Sequence, residues 1–158
     1  MAILRSEDDE QPSALEIRKG SLEVIGGQDW QRFDLVVRSG NFELELGGRS
    51  ADSTGSTRGN PVDCLFCRSP KDEVSELAAK IEQMVNLTKD QVFFEPAEPS
   101  FELSMRRAGA SGVKVEVWLD SGDATHGIYR WDAAGIRFHT LQEHLAAFLK
   151  ELKQEFAC

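Results

Sequence analysis

Cys64 and Cys67 are the first residues whose types and spacing could do chemistry, because two cysteines separated by two residues can hold a metal ion or form a redox pair. A zinc site needs two further ligands, and the sequence contains no second pair of this kind. A redox pair is typical of a helix N-terminus, whereas these cysteines flank Leu65 and Phe66 in a short apolar run. We therefore favour a structural role for both thiols, with metal or redox chemistry as the alternative.

Histidine is the next candidate, because it is the usual general base in nucleophilic catalysis. His139 and His144 are five residues apart across the start of a predicted helix, so they do not share a helical face. The sequence contains no GxSxG nucleophile turn, and its paired glycines match neither a dinucleotide-binding pattern nor a phosphate-binding loop. We expect no catalytic residue, no cofactor and no enzymatic activity.

Glu95, Glu98 and Glu102 form a cluster of carboxylates near the middle of the chain. Paired carboxylates can act as acid and base when their surroundings separate their pKa values. Pro96 and Pro99 make this stretch a rigid surface turn, where acids stay solvated. The cluster therefore favours recognition over catalysis.

Binding of a protein partner is the function that these surface residues favour. Trp118 falls on the polar side of its predicted strand, where it is either half-covered by a neighbouring loop or an interface anchor. The hypothetical partner-binding residues are Glu43, Glu45, Glu95, Glu98, Glu102, Trp118 and Tyr129.

Apolar residues alternate with polar ones along most of the chain, which predicts strands with one wet face. The predicted strands cover residues 15–25, with a bulge or turn at Gly20, and then residues 30–37, 42–46, 62–67 and 92–94. Alternation resumes at residues 101–106 and 113–119, and a last hairpin is predicted from residues 127–131 and 136–138 through a turn at 132–135. Residues 47–61 are rich in glycine and small polar residues, which predicts a surface loop.

Two segments have the apolar spacing of amphipathic helices. The first opens with Ser69 as N-cap and Pro70 in the first turn, and its apolar stripe continues to Val85. The second opens with Thr140 and Glu143 as a capping box and continues to Phe156. Short turns join most strands, so we predict an α+β fold: a largely antiparallel sheet of about eight strands with two amphipathic helices packed on it.

The length and composition of the chain predict one domain, over residues 14–157, preceded by a disordered acidic tail over residues 1–13. A net charge of −9 disfavours nucleic acid and anionic membranes and suits a basic partner. Three cysteines do not form a disulfide framework, so we expect a soluble protein of the reducing cytoplasm.

The order of these elements resembles the bacterial WapI-type immunity proteins. The resemblance rests on the strand 42–46, the helix 73–84 and the segment 92–103, which reads Val-Phe-Phe-Glu-Pro-Ala-Glu-Pro-Ser-Phe-Glu-Leu, followed by further strands and a closing helix over residues 140–156. It covers residues 15–156, with the loop 47–61 and the acidic tail as departures. The resemblance implies a protein that neutralises a contact-delivered toxin by binding it, without catalysis.

Two other hypotheses stay open at this point. One is a small-molecule-binding protein or minor enzyme with a pocket between sheet and helices, using Cys64, His139 or His144. The other is a homodimer with a structural role, formed through a strand edge or a helix face. A pocket with converging titratable groups would favour the first of these.

Overall fold

The computed structural model describes residues 1–47, 64–120 and 133–158. Within these ranges the chain forms two antiparallel sheets and two helices. The first sheet contains β1 (Ala2–Arg5), β2 (Ser13–Ile25), β3 (Gln28–Ser39), β4 (Phe42–Leu46) and β5 (Leu65–Cys67). Its strands lie in the order β1-β2-β3-β4, and β5 also pairs with β3.

The second sheet contains β6 (Gln91–Phe94), β7 (Phe101–Ala108), β8 (Gly112–Asp120) and β9 (Ala133–Leu141), in chain order. Helix α1 (Glu73–Val85) separates the two sheets in the sequence, and helix α2 (Gln142–Phe156) follows the second sheet. The predicted α+β class is confirmed, with the strands divided between two sheets.

The apolar sides of both sheets and both helices meet in one hydrophobic cluster. At its centre Phe66 of β5 stacks on Phe33 of β3, with ring centroids 3.9 Å apart. The same ring meets the edges of Phe101 from the second sheet and Phe156 from α2. The aromatic cluster therefore joins both sheets and α2.

The predicted irregularity at Gly20 is a register shift in the pairing of β2 with β3, between Lys19 and Leu22. A side chain at Gly20 would approach Cβ of Arg32 to 3.0 Å, which explains the glycine. The Gln31 amide donates to the carbonyls of Gly20, Ser21 and Arg32 and fixes this irregularity. Beyond it the hairpin tip exposes Leu22, Val24 and Ile25.

The prediction of a disordered tail is wrong for Ala2–Arg5, which form strand β1. Ala2 and Leu4 are fully buried, and β1 pairs with residues 14–17 of β2. One backbone group of β1 also bonds to α2, because Ile3 N donates to a carboxylate oxygen of Glu151 at 2.9 Å. Four residues are too few to show a periodic pattern, so composition alone misled the prediction.

Both predicted helix starts are wrong, although both apolar stripes are confirmed. Asp72 caps α1, accepting from Ser75 N, so Ser69 and Pro70 precede the helix. Thr140 belongs to β9, where its hydroxyl donates to the Arg5 carbonyl instead of capping α2. For Thr140 a tertiary contact uses the polar side chain that the local pattern assigned to a cap, whereas Ser69 is exposed and Asp72, three residues later, provides the cap of α1.

The turn predicted at residues 132–135 is also wrong over its last three residues, because Ala133, Ala134 and Gly135 begin strand β9 and pair with β8. The predicted strand at residues 127–131, most of the loop at 47–61, His126 and Tyr129 lie outside the described residues.

Candidate protein interface

The second sheet has one face in the core and one face toward solvent, which we call the outer face. Its residues form three rows across the strands, set by the antiparallel register. The first row is Gln91, Arg106, Lys114 and His139; the second is Phe93, Ser104, Glu116 and Arg137; the third is Glu102, Trp118 and Gly135.

Trp118 lies on the outer face, as its position in the alternating pattern predicts, and 36% of its surface is exposed. Its indole ring covers Gly135 of β9: a Cβ built on that glycine would lie 2.7 Å from a ring carbon. A side chain at Gly135 would collide with this ring and with the Val117 carbonyl oxygen, so the glycine lets the ring approach β9 closely. Strand β9 therefore covers part of the ring at Gly135.

Two of the predicted carboxylates lie beside Trp118. Glu102 is its cross-strand partner on β7, and Glu95 follows the end of β6. Together they line an open cleft of about 400 Å³, whose lining residues are Glu95, Pro99, Phe101, Glu102, Trp118, Leu119 and Ala133. Glu98 is exposed in the same loop without lining the cleft.

Glu43 and Glu45 lie elsewhere, on β4 of the first sheet. Glu43 is paired with Arg38 at 2.6 Å, and Glu45 with Arg18 at 3.3 Å. Both arginines also bind Glu16, a carboxylate only 3% exposed. These acids are part of a charge network with arginine, whereas the cleft acids have no ion-pair partner among the described residues.

The buried Glu16 leads to a prediction about acid stability. Burial acts to raise the pKa of Glu16, but hydrogen bonds and charge from Arg18 and Arg38 outweigh it and lower the pKa below its ordinary value. Ionised Glu16 therefore stabilises the fold above the unfolded-state pKa of about 4.3, and this contribution is lost as pH falls through the lower folded-state pKa.

We expect Glu16→Gln to lower the free energy of unfolding at pH 7 by about 1–2 kcal/mol, because the variant lacks the negative charge that faces Arg18 and Arg38 and has one acceptor oxygen instead of two. Urea unfolding at pH 7 and pH 3 measures the effect. The difference in free energy of unfolding between the variant and the unchanged protein should be smaller at pH 3 than at pH 7. An equal difference at both pH values would contradict stabilisation by ionised Glu16.

The centre of the outer face contains a shared ion pair. Glu116 binds Lys114 at 2.7 Å and Arg137 at 2.6 Å. The hydrogen bond from Lys114, with the charge of Arg137, lowers the pKa of Glu116. Arg106 lies on β7, opposite Lys114 of β8. It is exposed and has no ion-pair partner among the described residues. Sequence reasoning missed this basic group.

The two cysteines are placed for packing. Cys64 is buried in the main apolar cluster, and the Cys67 thiol lies 3.3 Å from the Ser69 carbonyl oxygen. His139 lies on the outer face in β9, and His144 lies in the first turn of α2. In the described part of the chain, no three of His, Cys, Asp and Glu come together as metal ligands.

A family model described as the immunity protein WapI-like family matches residues 70–157, more than half of the 158 residues. The chain belongs to this family. The match begins later than the predicted resemblance, so it includes α1, the second sheet and α2 and excludes the first sheet. The cleft and the outer face therefore lie inside the WapI-like region, and Glu43 and Glu45 lie outside it.

Membership in the WapI-like family gives the chain a general role in toxin immunity, which implies binding of a protein toxin and suggests a non-enzymatic role. Neither the curated proteins nor the solved structures give a significant match. No helix among the described residues is both long and apolar enough to span a bilayer.

Proposed function

We propose that this chain neutralises a contact-delivered bacterial toxin by binding it through the outer face, with Trp118 as the central contact. The observation that carries the proposal is the position of that ring: partly exposed, close against Gly135 and next to Glu102. A rigid aromatic side chain loses little entropy on binding, which is why tryptophan is enriched among the residues that dominate interface energies.

The chemistry around Trp118 suits a basic group of the toxin. A lysine or arginine side chain placed on the indole would gain a cation–π contact and would lie close to Glu102 and Glu95. Neither carboxylate has an ion-pair partner among the described residues, so a partner does not have to displace an existing pair. The net charge of −9 would also speed encounter with a basic toxin.

Occlusion of the toxin, not its chemical modification, is the mechanism that these residues support. Among the residues that the structure describes, the cleft is lined by two carboxylates and by apolar residues. It lacks there the nucleophile and adjacent base that covalent catalysis needs. The small-molecule alternative used Cys64, His139 or His144; Cys64 is buried in the core, and neither histidine lines the cleft beside Trp118. We place the action in the cytoplasm, where reducing conditions suit free buried thiols at Cys64 and Cys67.

Co-purification from the native host at low salt, followed by mass spectrometry, tests the proposal. We expect a basic toxin domain to be recovered and to lose its toxicity when it is co-expressed with this chain. If the co-expressed chain leaves toxicity unchanged, the proposal is wrong. Light scattering of the isolated chain tests the separate prediction of a homodimer.

Trp118→Ala should weaken toxin binding at least tenfold, because tryptophan is enriched among the residues whose truncation costs about 2 kcal/mol or more, and tenfold in affinity corresponds to about 1.4 kcal/mol. Isothermal titration calorimetry with the recovered toxin domain measures the change. Trp118→Phe should retain part of the affinity, since it keeps an aromatic ring over Gly135. Val24→Ala is the control, because Val24 is 72% exposed on the first sheet; equal losses for Val24 and Trp118 would exclude Trp118 as the anchor.

A further inference from the structure

We infer that the outer face binds a toxin surface of divided charge, with acidic residues over Arg106 and Lys114 and basic residues over Glu95 and Glu102. This inference rests on the proposed function and deepens it, because it assigns a second contact area and fixes the orientation of the toxin. It is carried by the order of charges along the rows of the second sheet.

The charges change sign from one end of the outer face to the other. Arg106 and Lys114 are direct cross-strand partners in the first row. Glu116 and Arg137 oppose each other in the second row and cancel. At the far end Glu102 and Glu95 line the cleft beside Trp118.

The two ends are far enough apart to act separately. Outward-pointing residues on one strand are two positions apart, or about 7 Å, so the first and third rows are about 13 Å apart. Screening at physiological salt has a length of about 8 Å. A partner group at one end is therefore little affected by the charge at the other, and each end selects its own complement.

The basic end has an excess of positive charge within an acidic protein. Glu116 is shared by Lys114 and Arg137, so one carboxylate serves two bases. Arg106 adds a third base, and it has no ion-pair partner in the described part of the chain. Three bases around one acid, in a chain of net charge −9, suit carboxylates supplied by a partner.

Phe93 gives this end an apolar contact as well. Its side chain is 55% exposed in the second row, and it lines a cleft that also includes Gln91, Arg106 and Lys114. An exposed aromatic ring next to Arg106, which has no ion-pair partner among the described residues, fits an acidic protein segment with apolar neighbours. A nucleic acid fits less well, because its phosphates would meet Glu116 and then Glu102 along the same face.

Site-specific photocrosslinking in the native host tests the inference. A benzoylphenylalanine is placed in the full chain at Gln91 in the first row, at Trp118 in the third row, or at Val24 as the control. We expect one partner protein to be captured at positions 91 and 118 and not at 24. The crosslinked peptide should be rich in Asp and Glu at position 91 and rich in Lys and Arg at position 118.

The outcomes separate this inference from the proposed function. Capture at 118 alone, or a basic peptide at 91, would overturn the divided-charge surface and leave binding through Trp118 intact. Failure of capture at both positions, with toxicity unchanged on co-expression, would overturn both.

Charge reversal gives a second measurement. Arg106→Glu with Lys114→Glu should weaken binding of the recovered toxin domain at least tenfold. Lys19→Glu with Lys150→Glu makes the same change in net charge at exposed positions on the first sheet and on α2 and should change binding less than threefold. Equal losses of toxin binding in the two double variants would mean that Arg106 and Lys114 act only through the net charge of the protein and contact no specific partner group.

Binding to a fluorescein-labelled single-stranded oligonucleotide at 150 mM salt tests nucleic acid as the partner of this end. If the unchanged protein binds the oligonucleotide and the Arg106 and Lys114 double variant does not, the basic end is a nucleic-acid site.

Discussion

Replacing Phe66 with alanine is expected to lower the free energy of unfolding by about 4 kcal/mol, the largest effect of any single change considered for this chain. The ring is fully buried and stacks on Phe33 at 3.9 Å. It also meets the rings of Phe94, Phe101 and Phe156. Its removal would leave a cavity bordered by both sheets and α2, and rigid aromatic neighbours cannot collapse into such a space.

Urea unfolding followed by circular dichroism measures this loss. Phe93→Ala is the matched control, because Phe93 is the same residue type, lies in a strand and is largely exposed. It should lose less than about 1 kcal/mol, since little apolar area leaves water there on folding. Similar losses for the two variants would show that Phe66 is not central to the packing.

The Phe66 variant also tests how the two sheets depend on each other. Phe66 lies in β5, outside the residues that match the WapI-like family, whereas Phe94 and Phe101 lie inside them. If the aromatic cluster couples the sheets, the amides of β7 and β8 should lose protection from hydrogen exchange together with those of β3. The WapI-like region would then need the first sheet for its stability.

Periodicity predicted the strands and helices well because burial on one face is a repeated signal. The strand 42–46 and the buried stripe of α2 agree with the pattern almost residue for residue. Caps were predicted poorly because they depend on a single polar side chain. The Thr140 hydroxyl could have formed the capping box with Glu143 or donated to the Arg5 carbonyl, and only the tertiary fold decided between them.

The candidate site was predicted in part. Alternation correctly placed Trp118 and Glu102 on a solvent-facing side, but it could not show which strands are neighbours. Arg38 and Glu43 flank the turn at Gly40, so their pairing was available from hairpin register. The same reasoning applies to Arg106 and Lys114 across the turn at residues 109–111, and it would have revealed the basic end of the outer face.

Glu73 is the residue whose role was least visible in the sequence, and its replacement is expected to have the second largest effect on stability. Glu73 lies in the first turn of α1, where the helix dipole alone favours an acid. The structure buries it to 4% exposure. Its two carboxylate oxygens accept from Cys67 N at 2.6 Å and from Ala97 N at 2.7 Å.

Glu73 therefore connects two segments that are far apart in the sequence. Cys67 ends β5 of the first sheet, and Ala97 lies in the loop that also carries Glu95 and Pro99 of the cleft. Glu73→Ala would leave both backbone N–H groups without their acceptor. The loss should be about 3 kcal/mol, because hydrogen bonds to a charged group each contribute about 1.5–3 kcal/mol.

Urea unfolding and hydrogen exchange together test this role of Glu73. Glu82→Ala is the control on the same helix, because Glu82 is partly exposed and has an ion pair with Lys153; it should cost less than about 1 kcal/mol. In the Glu73 variant the Ala97 amide should exchange faster even under conditions where the fold persists. A loop freed in this way would no longer hold Glu95 beside Trp118, so toxin binding should weaken as well. Unchanged exchange at Ala97 would mean that the cleft loop is held by other contacts, whatever the loss of global stability.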